Sequence, residues 1–233
     1  MELQEAQAYA FRGLDGMAKG QPAILGDIIV QAGFNVTAVT QPHEIERVHF
    51  LDSLSLLDLE CITGANCLAD LGSGAGLPAL VLAIALPSLR VVAVESQRKK
   101  CDHIERAREA LSLDNVEVRC SRAEDYGRGQ GRRAHDVVVS RALAALPVLA
   151  ELSAPLLVRG GTMVAMKGFV SDQERIHADS ALGILGCGPL ETVRLRSFPG
   201  ALNRLAYVAQ KIGPTPDCYP RRSGIPQKRP LGA

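Results

Sequence analysis

The chain has 233 residues, 47% hydrophobic and 22% charged, with a net charge of +1. That is long enough for one α/β domain with an extension and a sizeable core, and no apolar run approaches the length of a membrane span. Six cysteines without a C-x-x-C pair, five histidines without metal-ligand spacing, and a start, Met1–Glu5, unlike a signal peptide all argue for a reduced, metal-free, cytoplasmic protein.

Residues 1–20, interrupted by Gly13, Gly16 and Gly20, are expected to be irregular or loosely helical. Pro22–Gln31 reads as a helix ending at Gly33. Beyond Asn35–Thr40, Pro42 suits the first turn of a second helix, predicted to run to Asp58. A repeating pattern begins at Cys67. Its predicted strands are Cys67–Leu71, Arg90–Glu95, Val116–Arg119, Asp136–Ser140 and Thr162–Met166. Between and after them come predicted helices Leu77–Leu86, Lys99–Leu111, Leu143–Leu157 and Ser171–Leu182. Such alternation predicts a parallel sheet with helices on both faces. Glu191–Arg196 and Leu205–Lys211 have no helix between them, so they are predicted to pair antiparallel at the sheet edge, joined through Phe198–Gly200. Gly127–Arg133 reads as a flexible basic surface connection.

Charge is unevenly spread. From Arg194 onward there are eight Lys/Arg and one acid, a balance of +7, whereas the remainder holds 18 basic and 24 acidic residues, or −6. A basic end on an acidic body points to a polyanion. The competing reading of Arg221–Arg229 is a solvated, disordered tail.

The stretch richest in chemistry is Asp70–Gly76, with Gly72, Gly74 and Gly76 spaced as G-x-G-x-G. Glycines let a backbone pass close to a ligand and take left-handed angles. This spacing differs from the G-x-G-x-x-G that cradles a dinucleotide pyrophosphate, and suits a phosphate-free ligand such as S-adenosylmethionine. Glu95 ends the next strand, where a carboxylate can accept hydrogen bonds from ribose hydroxyls. Asp70 either holds the loop or faces the ligand. Glu124 and Asp125 follow the third strand, where they would meet an adenine edge or cap a turn. Ser140-Arg141 and Lys167-Gly168 end the fourth and fifth strands. Arg141 is expected to bind guanine's edge or a cofactor carboxylate. For Lys167 a surface ion pair competes evenly with a site role. His49 and Asp52 either face the same cleft or serve as a helix cap and an internal hydrogen bond.

Asp70–Pro78, His49–Ser53, Ser140–Ala142 and Ala165–Gly168 strongly resemble the bacterial small-subunit (16S) ribosomal RNA guanine-N7 methyltransferases, the glucose-inhibited division protein B family. Asn35–Thr37 and the basic run Tyr219–Pro230 add to the resemblance, which extends from about Gly33 to the C-terminus. It implies a class I S-adenosylmethionine-dependent methyltransferase, a Rossmann-like α/β sheet with an antiparallel C-terminal edge. The corresponding division is a helical extension over 1–60, a methyltransferase domain over 61–213 and a basic tail over 214–233. It also implies cofactor contacts at Gly72, Leu77, Ala123, Glu124 and Arg141, and a guanine of 16S rRNA near the decoding centre as substrate, in the small ribosomal subunit. A monomer without metal is expected. Two departures touch the N-terminal part of the RNA surface. The chain has no tryptophan, and Val48 stands before His49 where a basic residue is common.

Guanine N7 has an in-plane lone pair and no proton, so its methylation needs placement and exclusion of water but no general base. Arg141 and Lys167 are the residues expected to organise that step. No Pro-Cys pair offers a nucleophile for cytosine C5, and no Asp/Asn-Pro-Pro-aromatic segment follows the fourth strand. Two rivals remain: a nicotinamide-dependent oxidoreductase, disfavoured by the glycine spacing and the antiparallel ending, and a non-catalytic RNA-binding or assembly factor that kept the fold.

Overall fold

The structure, a computed structural model, describes residues 20–30, 49–197 and 204–232. The expectations for residues 1–19, Gly33, Asn35–Thr40, the start of the Pro42 helix and the Phe198–Gly200 connection lie outside these residues.

Seven strands form one sheet: β1 (Cys67–Leu71), β2 (Arg90–Glu95), β3 (Val116–Cys120), β4 (His135–Arg141), β5 (Leu157–Lys167), β6 (Glu191–Arg194) and β7 (Leu205–Gln210). Their spatial order is β3-β2-β1-β4-β5-β7-β6. The first five strands are parallel, and β7 is antiparallel to both β5 and β6. The expected antiparallel ending is therefore present. The chain lays β2 and β3 on one side of β1 and β4 on the other, so loops after β1 and β4 diverge and leave a crevice at the carboxyl edge.

The central strands are near-continuous apolar runs because both faces are covered. Successive side chains point to opposite faces. Leu68, Val91, Ala93, Val137 and Val139 join the core on one face. Ala69, Leu71, Val92, Val94 and Val138 join the core on the other. The first face is covered by α1 (Gln21–Val30), the short helices α2 (Leu51–Leu54) and α3 (Glu60–Thr63), α4 (Ala79–Ala85) and α5 (Arg98–Ala110). The second is covered by α6 (Ala123–Arg128), α7 (Leu146–Ser153) and α8 (Asp172–Ile184).

Several boundaries differ from the sequence reading. The helix predicted to end at Asp58 is broken: α2 passes into a 3₁₀ turn, Ser55–Asp58, and Leu59 is extended at φ −93°, ψ 117° before α3 begins. β5 starts five residues early because it runs through Gly160-Gly161, which look like a turn. Gly160 takes φ +87°, and the register against β4 shifts there. α7 starts at Leu146, leaving Leu143 and Ala144 in the loop, and Leu157 belongs to β5. Ser171 caps α8, its hydroxyl accepting the Glu174 N–H at 3.2 Å.

The basic end packs on the domain. Residues 204–232 are folded, with one short helix, α9 (Ile225–Lys228). Arg221 meets Glu151 of α7, whose carboxylate is fully buried: Nε donates at 2.9 and 3.1 Å, Nη2 at 2.5 Å, and the Arg221 amide at 2.8 Å. Gly127–Arg133 is not a loose connection but part of this docking. Arg128 donates to Pro220 O at 2.9 Å, and Arg132 to Tyr219 O at 2.7 Å and to Asp217 at 2.9 Å. A side chain at Gly131 would strike the Tyr126 ring at 2.4 Å.

Candidate active site

The glycine loop leaves β1 at the crevice. Gly72, Gly74 and Gly76 all have left-handed φ, at +70°, +57° and +86°, which explains glycine at all three positions. They differ in what they face. A Cβ at Gly76 would lie 2.5 Å from Leu80, and one at Gly72 2.6 Å from Leu143, so these two allow close packing within the protein. A Cβ at Gly74 would meet nothing nearer than Gly72 O at 3.8 Å. Gly74 lines a cleft, so the space above it is room for a ligand.

Two acids hold this loop. Asp70 is fully buried and its Oδ2 accepts the Ala79 N–H at 3.3 Å, fixing the start of α4. Of its two open roles, the structure shows the loop-holding one. Burial raises its pKa to about 6, against the pull of Ser73, the Ala79 N–H and Arg141. Glu95 Oε2 accepts the Gly74 N–H at 3.1 Å, while Oε1 accepts Ser96 and Gln97 N–H at 2.7 and 2.8 Å. The strand-tip acid thus ties the loop to the start of α5. A carboxylate offers about four acceptor positions, so Glu95 retains capacity on the cleft that it also lines.

Two clefts meet here. One, of about 510 Å³, is lined by Glu95, Ala123, Glu124 and Leu143, with Gly224 and Lys228 of the docked C-terminal segment on its far wall. The other, of about 490 Å³, is lined by His49, Asp52, Gly74, Leu77, Lys167 and Arg204. Gly72, Arg141 and Ala142 belong to both. Ala142 holds φ +51°, an uncommon angle for a residue with a side chain, at the turn where β4 ends between the clefts.

Most of the residues expected from sequence converge on these clefts. Gly72, Gly74, Leu77, Glu95, Ala123, Glu124, Arg141 and Lys167 line one or both, and Gly76 supports the loop behind them. Glu124 Oε1 accepts the Gly224 N–H at 2.8 Å, so it also anchors the C-terminal segment. Lys167 is tied down: its ammonium donates to Ala144 O at 2.8 Å and lies 3.1 Å from Glu174.

The second cleft is cationic around one acid. Asp52 is buried, 3.8 Å from Arg141 Nη1, 3.4 Å from Arg204 Nε, and accepts the Ser197 hydroxyl at 2.9 Å. Burial lowers the pKa of Arg141, and Asp52 and Asp70 counter that. Burial, then Arg141 and Arg204, lower His49 to about 4, so it is neutral at neutral pH and a poor proton acceptor. Both His49 and Asp52 face the cleft. Arg204 escaped the sequence reading. Its signal is topological: β7 runs antiparallel, so its first residues lie at the same edge as the last residues of β5, with Leu205 opposite Lys167.

A parallel sheet closed by an antiparallel β7, with a glycine loop tied to a strand-tip acid beneath a split cleft, defines the class I S-adenosylmethionine-dependent methyltransferases. Solved structures share the fold. A protein from Klebsiella pneumoniae has a TM-score of 0.58 at 13% identity, over 91% of this chain and 100% of that one. The O-methyltransferase TomG from Streptomyces achromogenes, solved with its cofactor, has a TM-score of 0.57 at 19% identity, over 87% and 94%. Sequence comparison narrows the class. Residues 28–197 match the GidB family, described as rRNA small subunit methyltransferase G. Proteins named ribosomal RNA small subunit methyltransferase G are similar to this chain. The one from Pelotomaculum thermopropionicum is 43% identical over 84% of this chain and 83% of its own length, and the one from Staphylococcus saprophyticus 38% identical over 84% and 82%. The chain belongs to the rRNA small subunit methyltransferase G family.

Among the described residues no helix is long and apolar enough to cross a membrane, and no group of three or more His, Cys, Asp or Glu is placed to hold a metal.

Proposed function

We propose that the protein transfers a methyl group from S-adenosylmethionine to N7 of a guanine in 16S rRNA, near the decoding centre of the small ribosomal subunit, and that it works in the cytoplasm as a monomer without metal. The cofactor, when bound, supplies an electrophilic methyl group. The observation that carries the reading is the pair of clefts joined at Gly72 and Arg141. The Glu95–Glu124 cleft suits an adenosine: Glu95 accepts ribose hydroxyls with the capacity its backbone partners leave, and Leu143 offers an apolar wall. The space over Gly74 admits the amino-acid end, whose carboxylate matches Arg141.

The cationic cleft takes the RNA. Arg141 and Arg204 flank Asp52, the one carboxylate that lines this cleft, so a positive balance faces the RNA. Lys167 acts in this reading as the post that fixes the β5 tip against the loop before α7 and against α8. Asp52 is engaged by its two arginines and by the Ser197 hydroxyl, and burial, with Arg141 and Arg204, lowers His49 to about 4, which makes it a weak base. A lone pair that carries no proton is the nucleophile such a site can use. The test is calorimetric titration with S-adenosylmethionine, followed by methyl transfer to intact small subunits and to naked 16S rRNA. Cofactor binding with transfer to either RNA form supports the reading. A folded protein that binds RNA but not the cofactor would establish the non-catalytic alternative.

A further inference from the structure

Phe169 is 80% exposed and is the only strongly exposed Phe or Tyr among the described residues; Phe50, Tyr126 and Tyr207 are buried and Tyr219 is half-buried. A solvated phenyl ring forgoes the stabilisation that its burial would bring. Here its exposure is built in. Tyr207, 1% exposed, reaches across from β7 with its hydroxyl. That hydroxyl donates to Gly168 O at 3.2 Å and accepts the Val170 N–H at 3.2 Å. The residues before and after Phe169 are thus pinned by one buried phenol, and Val170 is itself buried in the core. The peptide cannot roll to bury Phe169 without breaking both bonds.

The place matters as much as the exposure. Gly168 and Lys167 line the cationic cleft, and consecutive Cα atoms are about 3.8 Å apart, so Phe169 leaves the chain directly beside that cleft. Arg204, at the start of the neighbouring strand, is partly exposed, and Arg194 and Arg196 are exposed near the same sheet edge. A rigid aromatic face beside cations that attract phosphates is the pairing used to hold unpaired nucleotides: the cations track the backbone and the ring stacks on a base.

We propose that Phe169 is a positioning residue that stacks on an unpaired RNA base beside the target guanine, holding the substrate strand beside the cleft. The inference rests on the RNA-methylating function proposed above and adds a recognition element outside the cofactor cleft. Base stacking on an aromatic contributes about 1–3 kcal/mol, so its loss should raise KM for RNA roughly 5- to 150-fold. Phe169 is not among the residues that line the two clefts, so cofactor affinity should not move.

The natural chain has no tryptophan, which gives a direct readout. Phe169→Trp introduces a single tryptophan, excited apart from the four tyrosines, at the proposed stacking face. Stacking predicts that 16S rRNA quenches its emission in a saturable manner, and that Phe169→Trp retains wild-type KM. Phe169→Ala should show the raised KM with kcat, cofactor affinity and melting temperature unchanged. Unquenched emission at saturating RNA, or wild-type KM in Phe169→Ala, overturns the assignment. A blue shift without quenching on intact small subunits marks a protein contact and overturns it equally. The underlying function is judged separately. If the wild type transfers no methyl group but RNA still quenches Phe169→Trp, the stacking stands and the enzymatic reading falls. If transfer proceeds while quenching and the KM effect are absent, the reverse holds.

Discussion

Two arginine-bearing regions of this protein look equivalent in sequence and differ in what their charge is free to do. At the C-terminal segment, Arg221 makes a two-pronged pair with the fully buried Glu151, and Arg132 pairs with Asp217. The charge of these two arginines serves folding, and Arg133 shares Asp217 at 3.9 Å. In the cleft, Asp52 is the one carboxylate that lines the wall beside Arg141 and Arg204, while Asp70 acts on Arg141 from the buried side. At the cleft wall cations outnumber acids, which suits an anion. A basic run is therefore not itself an RNA surface. What counts is the balance left after the fold has paired its own charges.

The sharpest way to break the comparison is at Glu151. Glu151→Ala leaves Arg221 beside a buried, apolar gap, and removing one partner of a buried pair typically destabilises by about 3–5 kcal/mol. Chemical denaturation should show a loss of that order. Arg141→Lys keeps the charge of the cleft but not the planar fork. Single-turnover transfer should slow by about tenfold or more, equivalent to roughly 1.4 kcal/mol of barrier, while denaturation midpoints stay near wild type.

The segment's outward charges give a smaller effect. Arg222 and Arg229 are exposed with no side-chain partner shown, unlike Arg221. Arg222→Gln with Arg229→Gln should flatten the dependence of log RNA affinity on log salt by about 0.7–0.9 per lost phosphate contact. Cofactor affinity should not change. Lys228 is left in place because it lines the cleft proposed for the cofactor. A salt slope identical to wild type would assign these two arginines to solvent.

The smallest effect reads the cleft's field itself. Burial lowers the pKa of His49 to about 4, and Arg141 and Arg204 add to that. Arg204→Gln should move the His49 titration upward in NMR, by less than the whole shift, because burial is the larger cause. The linked stability has a definite sign. The unfolded histidine titrates near 6.5 and the folded one near 4, so between these values the unfolded chain binds more protons and stability rises with pH. That contribution is complete above about 6.5 and lost as pH falls towards 4. The Arg204 variant should narrow the window from its acid side.

The sheet was largely legible because it depends on local pattern. β1 and β2 fall at the expected residues, since apolar strands buried on both faces leave an unmistakable run. The glycine loop was legible for a related reason: left-handed angles demand glycine, whatever the tertiary context. Charge pairing is not local. Arg221 and Glu151 are 70 residues apart in sequence, and nothing near Arg221 reveals an acid waiting on α7. Asp52 could be named as a candidate but not as the shared partner of Arg141 and Arg204, because that depends on where β7 starts. α6 is too short to show helical periodicity, and the exposure of Phe169 depends on a tyrosine from another strand.

The measurement that most directly tests the account is single-turnover methyl transfer to small-subunit RNA across neutral pH, with base-specific mapping of the product. Transfer to a proton-free lone pair in a cleft without a working base predicts a methyl group on guanine N7 and a rate nearly independent of pH. A methyl group on cytosine C5 or an exocyclic amine, or a rate that climbs about tenfold per pH unit, would contradict it.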